Sequence, residues 1–116
     1  MLNGDSTRND GQEAAERTVT VPNRLGLHAR PAAEFVKLSA RYESRISVDK
    51  DGLTVNGKSI MGVMMLAAEY GSVLRILAEG PDAEQAASAL SDLVASGFGE
   101  HESDYADPGE EEAATA

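Results

Sequence analysis

Histidine, arginine and proline stand close together in the segment LGLHARPA, at His28, Arg30 and Pro31. Imidazole is nucleophilic when neutral and titrates near neutral pH, so a histidine can accept a phosphoryl group and release it again. If a helix starts at or just after His28, the N–H groups of Ala29 and Arg30 lack intrahelical partners and point outward. Pro31 then loses no hydrogen bond, and the helix dipole favours an anion at this end. Arg30 can add a charge-assisted hydrogen bond to phosphoryl oxygens. Gly26, two residues before His28, permits an unusual turn into the site. The same residues also suit an ordinary exposed histidine at a helix cap, and spacing alone leaves both readings open.

Ser59, in NGKSIMGVMMLAAEYG, stands before a second apolar stretch. A serine there can be a plain N-cap. It can also be a phosphorylation site, because a helix N-terminus tolerates added negative charge, and a phosphoserine ester lasts longer than a phosphoramidate. The stretch is apolar nearly all the way round, so either it is buried on both sides or some of Ile60, Met61 and Met64 stay exposed as an adaptable docking patch.

Elements that would position these residues follow from the pattern. Thr18 to Val21 alternates in β-branched residues before Pro22-Asn23 and predicts a first strand. Ala32, Phe35, Val36 and Ala40 recur at helical spacing. Ile46 and Val48, then Leu53 and Val55, flank Asp51-Gly52, which predicts a hairpin. Ser59 opens a helix to about Ala68 with Gly71 as its terminator, and Val73 to Glu79 is a fourth strand ended by Gly80-Pro81. Ala83, Ala86, Ala87, Leu90 and Val94 form one helical stripe, with Asp82 as N-cap, Gln85 completing a capping box and Gly97 past the end. The order β-α-β-β-α-β-α predicts an α+β fold, one sheet with helices on a single face.

The chain has 116 residues and a net charge of −10, long enough for one domain. Residues 18–100 carry eight basic and ten acidic residues, whereas 101–116 carry six acids and no base. The acidity argues against nucleic acid as a partner. The expected organisation is a disordered polar extension over 1–17, the working domain over 18–100 and a disordered acidic tail over 101–116, in which His101 is solvated without a role. No cysteine is present and histidines number two, so no metal site or cofactor is expected. The first stretch has no apolar region of a secretory signal, and the longest apolar run falls far short of a membrane span, which predicts a cytoplasmic protein with no membrane insertion. A Gly-rich phosphate loop with its lysine is missing, which speaks against a self-contained kinase or ATPase.

Together, LGLHARPAAEFV and GKSIMGVMMLA resemble the active-site and regulatory-serine segments of the HPr family, the histidine-containing phosphocarriers of the phosphoenolpyruvate-dependent phosphotransferase system. The resemblance covers about residues 18–100. It implies an open-faced β-sandwich, a four-stranded antiparallel sheet covered by three helices. It implies a carrier and not an enzyme: His28 takes a phosphoryl group on Nδ1 from phosphorylated enzyme I and passes it to an enzyme IIA in sugar transport. Arg30 and Pro31 match the family's active-site arginine and proline. Ser59 matches the serine that an ATP-dependent HPr kinase/phosphorylase modifies in some bacteria, and Ile60, Met61 and Met64 match the adjoining docking surface. The expected state is a monomer. The loop from Asn23 to Gly26 is longer than in some enteric members, which leaves the role of Asn23 open, and both polar tails lie outside the family pattern. The alternative is an HPr-like regulatory adaptor of a nitrogen-related branch, whose phosphorylation state is read by other proteins.

Overall fold

Alternation along the strands decides the architecture. In β4 (Val73–Gly80), Leu74, Ile76 and Ala78 are buried while Val73, Arg75 and Glu79 are exposed. In β2 (Arg45–Lys50), Ile46 and Val48 are buried, so period-two patterning places both sets on one face. A computed structural model describes residues 13–100, in which these strands pair with β1 (Glu13–Thr20) and β3 (Leu53–Asn56) in one antiparallel sheet of order β1-β4-β2-β3. The register aligns Ala15, Ala78 and Ile46 in one inward row, and Ile76, Val48 and Val55 in the next. Outer-face charges pair across strands, Arg45 with Glu79 and Arg75 with Glu16, and such exposed pairs contribute at most about 1 kcal/mol each.

Three helices cover the inward face: α1 (Ala29–Ser39), α2 (Ile60–Met65) and α3 (Ala83–Ala95), which gives an open-faced sandwich. The α3 stripe of Ala83, Ala86, Ala87, Leu90 and Val94 is fully buried, and its three alanines allow the helix to approach the sheet closely. From α1, Ala32 and Phe35 enter the same core, joined by Val63 of α2 and by Leu66. The hairpin predicted at Asp51-Gly52 is present, with both residues at positive φ (52° and 88°), the primed-turn geometry that suits strand twist.

Four readings of the sequence are corrected. The first strand begins at Glu13, five residues before the boundary drawn at Thr18, so part of the expected disordered extension belongs to the sheet. The run Glu13 to Arg17 is poor in β-formers. Its strand state comes from backbone pairing with β4 from Glu13 opposite Gly80 onward, and from Ala15 turning into the core. The α2 helix stops at Met65 rather than near Ala68, and the residue past it at positive φ is Ala67 (49°), well before Gly71. Asp82 does not cap α3 through its side chain. Its carboxylate instead accepts from Glu43 N (2.9 Å), Ser44 N (3.0 Å) and Ser44 Oγ (2.5 Å), tying the turn before β2 to the start of α3. The capping box with Gln85 is accordingly not formed by Asp82. The readings made for residues 1–12 and 101–116, His101 included, lie outside the described residues. Among the described residues no helix is long and apolar enough to cross a membrane.

Candidate functional site

His28 is the N-cap residue of α1, extended at φ −74° and ψ −172°, and its carbonyl accepts Ala32 N at 2.9 Å. Its side chain makes no capping bond, and the imidazole is about one-third exposed. The loop leading to it is fixed from behind. Leu27 N donates to Ala68 O (2.9 Å), and Gly26 adopts φ +69° where a Cβ would lie 2.5 Å from Ala68 O and 2.8 Å from Glu69 Cα. Glycine is required at this position for both reasons. The early end of α2 has the same cause, since residues 67 and 68 leave the helix to receive the His28 loop.

Around the imidazole the structure gathers Asn23, Arg30 and Glu100. Glu100 Oε2 lies 2.8 Å from His28 Nε2 and 2.6 Å from an Arg30 guanidinium nitrogen. Asn23, buried, donates through Nδ2 to Glu100 Oε1 (3.1 Å) and to Gly26 O (2.8 Å), so it braces both the loop and the carboxylate. Arg30 also donates to Phe98 O (3.2 Å) and pairs with Glu34 one helical turn on (2.5 Å). The hydrogen bond that Arg30 donates to Glu100 is the main influence that raises the Arg30 guanidinium pKa above its ordinary value. The chain reaches Glu100 through a short 3₁₀ turn, Gly97–Gly99, in which Phe98 is buried with left-handed backbone (φ 59°). A cleft of about 400 Å³ adjoins the group, lined by Asn23, Arg24, Tyr70, Ser96, Gly97 and Glu100.

The structure thus brings His28 and Arg30 together. Pro31 is buried rather than facing them, so its part is to shape the first turn of α1 beneath the imidazole. Sequence reasoning missed Glu100, which it left as the last residue of the working domain, and no local signal could have found it. It lies 72 residues from His28, and only the return of α3 toward the start of α1 brings them together.

Ser59 caps α2, its Oγ accepting from Gly62 N at 3.0 Å. The neighbouring Lys58 ammonium donates to Tyr42 O (2.6 Å). Of the two readings of this helix, burial on both sides is excluded: α2 buries Val63 and leaves Ile60, Met61 and Met64 exposed, Met61 by 70%. Met65, not singled out from the sequence, extends the same patch.

The family model described as PTS HPr component phosphorylation site matches residues 15–96, which hold both motifs, three strands whole and all but the first two residues of β1. The chain belongs to the HPr family. It is 45% identical over 87 residues to the phosphocarrier protein HPr of Cupriavidus necator, covering 75% of this chain and 98% of that one. HPr-C-His from Thermoanaerobacter tengcongensis superposes with a TM-score of 0.73 at 49% identity, over 75% of this chain and 98% of that one. An HPr dimer from the same organism matches with a TM-score of 0.61 at 50% identity, over 74% and 99%, so the expectation of a monomer gains no support from these relatives. The antiparallel sheet with three helices is the HPr fold, and the chain is an HPr phosphocarrier of the phosphotransferase system whose partners are other components of that system.

Proposed function

We propose that this phosphocarrier takes its phosphoryl group on His28 from phosphorylated enzyme I and gives it to an enzyme IIA in sugar transport, working in the cytoplasm. The observation that carries the reading is the shared oxygen of Glu100: one anionic oxygen within hydrogen-bond distance of both the His28 ring and the Arg30 guanidinium. That contact occupies Nε2 and leaves Nδ1 as the other ring nitrogen, beside a helix N-terminus whose first N–H groups have no intrahelical partners and favour an anion. In the reaction, the lone pair of a ring nitrogen forms a bond to phosphorus as the bond from phosphorus to the donor breaks and its electron pair leaves with the donor. The ring nitrogen used is Nδ1, since Nε2 faces Glu100. Arg30 hydrogen-bonds the phosphoryl oxygens and offsets their charge. Transfer onward reverses the same step, because nitrogen-bound phosphorus is a good donor.

Ile60, Met61 and Met64 form the docking patch for these partners, a reading supported by their exposure on α2. Ser59 is the regulatory site for an ATP-dependent HPr kinase/phosphorylase. Its hydroxyl already sits at a helix start beside that patch, so a phosphate there changes the charge of the docking surface without removing a core contact.

The test is labelling with enzyme I and phosphoenolpyruvate. One acid-labile phosphate is expected, lost in His28→Ala and retained in Ser59→Ala; full labelling of His28→Ala refutes the assignment. ATP with the serine kinase should add an acid-stable phosphate absent from Ser59→Ala, and no such product means that Ser59 is only a cap.

A further inference from the structure

We propose that Met61, Met64 and Met65 form a reversible oxidation site, at which a peroxide turns thioethers into sulfoxides and loosens the carrier's docking, a reading that rests on α2 being the docking patch. Sulfur is unevenly placed in this chain. It has four methionines and no cysteine, and three of the four stand on α2. Met61, Met64 and Met65 are 70%, 44% and 65% exposed, whereas no buried residue of the described core contains sulfur. Met64 and Met65 follow Met61 by three and four residues, the spacing of neighbours on a helix surface, so the thioethers share one patch. A small peroxide reaches exposed thioethers, and here it finds them on the docking surface and not in the core.

In the step itself, a lone pair on sulfur bonds to one oxygen of hydrogen peroxide as the O–O bond breaks. The proton on that oxygen passes to the departing one, which leaves as water, so sulfur loses two electrons and the peroxide gains them. A reductase dithiol reverses the change: the sulfoxide oxygen leaves as water and the two thiols become a disulfide. Each sulfoxide places an uncharged but strongly polar S–O group where a partner would cover an apolar one, and burying it without a hydrogen bond weakens docking. The fold stays intact, because α2 is held by other atoms. Val63 and Leu66 anchor it in the core, Ser59 Oγ caps its start by accepting from Gly62 N (3.0 Å), and the Lys50 ammonium donates to Leu66 O at its end (3.1 Å). Oxidation of a core methionine disrupts packing, whereas on the exposed face of α2 it changes only what the surface offers.

The experiment treats the full-length protein with hydrogen peroxide, maps the added oxygen by peptide mass spectrometry, and measures urea stability and the kinetics of phosphoryl transfer from enzyme I. Each sample is compared with its own untreated control. All three α2 methionines should take up oxygen and the urea midpoint should not move. The KM for the carrier should rise roughly tenfold with little change in kcat, the signature of lost docking rather than lost chemistry. Methionine sulfoxide reductases of both epimer specificities should return KM to its starting value. A variant carrying Met61→Leu, Met64→Leu and Met65→Leu should not respond to peroxide, whatever its own KM. The proposal is overturned by methionines left unoxidised at a dose that oxidises free methionine, by an unchanged KM in the oxidised protein, by a lost fold, by a KM that the reductases do not restore, or by an equal response in the leucine variant. An untreated Met61→Glu variant tests the docking reading separately: its KM should rise, and an unchanged KM refutes the patch as a docking surface. If Met61→Glu raises KM and oxidation does not, the oxidation site alone falls.

Discussion

Replacing Gly26 by alanine tests whether close approach, and not backbone freedom alone, holds the His28 loop in place. Gly26 and Gly71 both adopt positive φ (69° and 87°), but a Cβ at Gly71 meets nothing within 4 Å, whereas at Gly26 it lies 2.5 Å from Ala68 O and 2.8 Å from Glu69 Cα. The left-handed backbone costs an alanine about 1–2 kcal/mol, offset by about 0.4–1 kcal/mol because alanine restricts the unfolded chain. Gly71→Ala should therefore lose on the order of 1 kcal/mol or less. At Gly26 the added carbon faces backbone atoms that cannot rotate away. The loop must shift by half an ångström or more on the order of a full atomic overlap, and overpacking of this kind adds about 1–3 kcal/mol. The expected loss for Gly26→Ala is roughly 2–4 kcal/mol, a large share of the ~5–15 kcal/mol that stabilises a domain. Urea denaturation of both variants reads this as a fall in midpoint at unchanged slope. Because the displaced segment carries Leu27 and His28, Gly26→Ala should also slow phosphoryl transfer under conditions where it remains folded, while Gly71→Ala should not. Equal losses of stability in the two variants would refute the reasoning, since they share the backbone term and differ only in what the methyl group meets.

Two further predictions concern charge. Arg30→Ala should slow phosphoryl transfer roughly tenfold and destabilise the fold by roughly 1–3 kcal/mol, because the Glu34 pair is exposed whereas the buried Glu100 carboxylate loses a charged partner; an unchanged rate removes Arg30 from the mechanism. The Asp82 carboxylate is held below its ordinary pKa, first by the hydrogen bond from Ser44 and then by that from Glu43 N. A group with a depressed folded pKa stabilises the fold above its unfolded pKa, and loses that contribution as pH falls through the folded value. The stability difference between wild type and Asp82→Ala should thus be constant near neutrality and shrink in acid, as measured by urea midpoints across pH; a difference that grows in acid contradicts the assignment.

Much of the scaffold is legible in residue order because its determinants are local. Asp51-Gly52 adopts the positive φ pair that a tight hairpin needs, and the alanine stripe of α3 repeats at the helical period, so neither depends on the rest of the fold. The start of β1 was not legible for the opposite reason. Glu13 to Arg17 has no strand preference of its own and is extended because β4 offers it five successive partners for backbone pairing. Asp82 has the composition of an N-cap, yet the turn at residues 43–44 lies within reach and supplies three donors, which outcompete the local role.

For the site, the sequence by itself determined the chemistry: an imidazole at a helix start with an arginine two residues on, and a serine before an apolar helix, because helix caps and side-chain reactivity are properties of a few adjacent residues. Tertiary structure alone decided which atoms of that chemistry are presented. It seats the Gly26 loop against Ala68, turns Pro31 inward, bares Met61 and Met65, and brings Glu100 to the ring nitrogen of His28. Those contacts join segments more than 35 residues apart, and only the packing of helices on one sheet sets the distances between them.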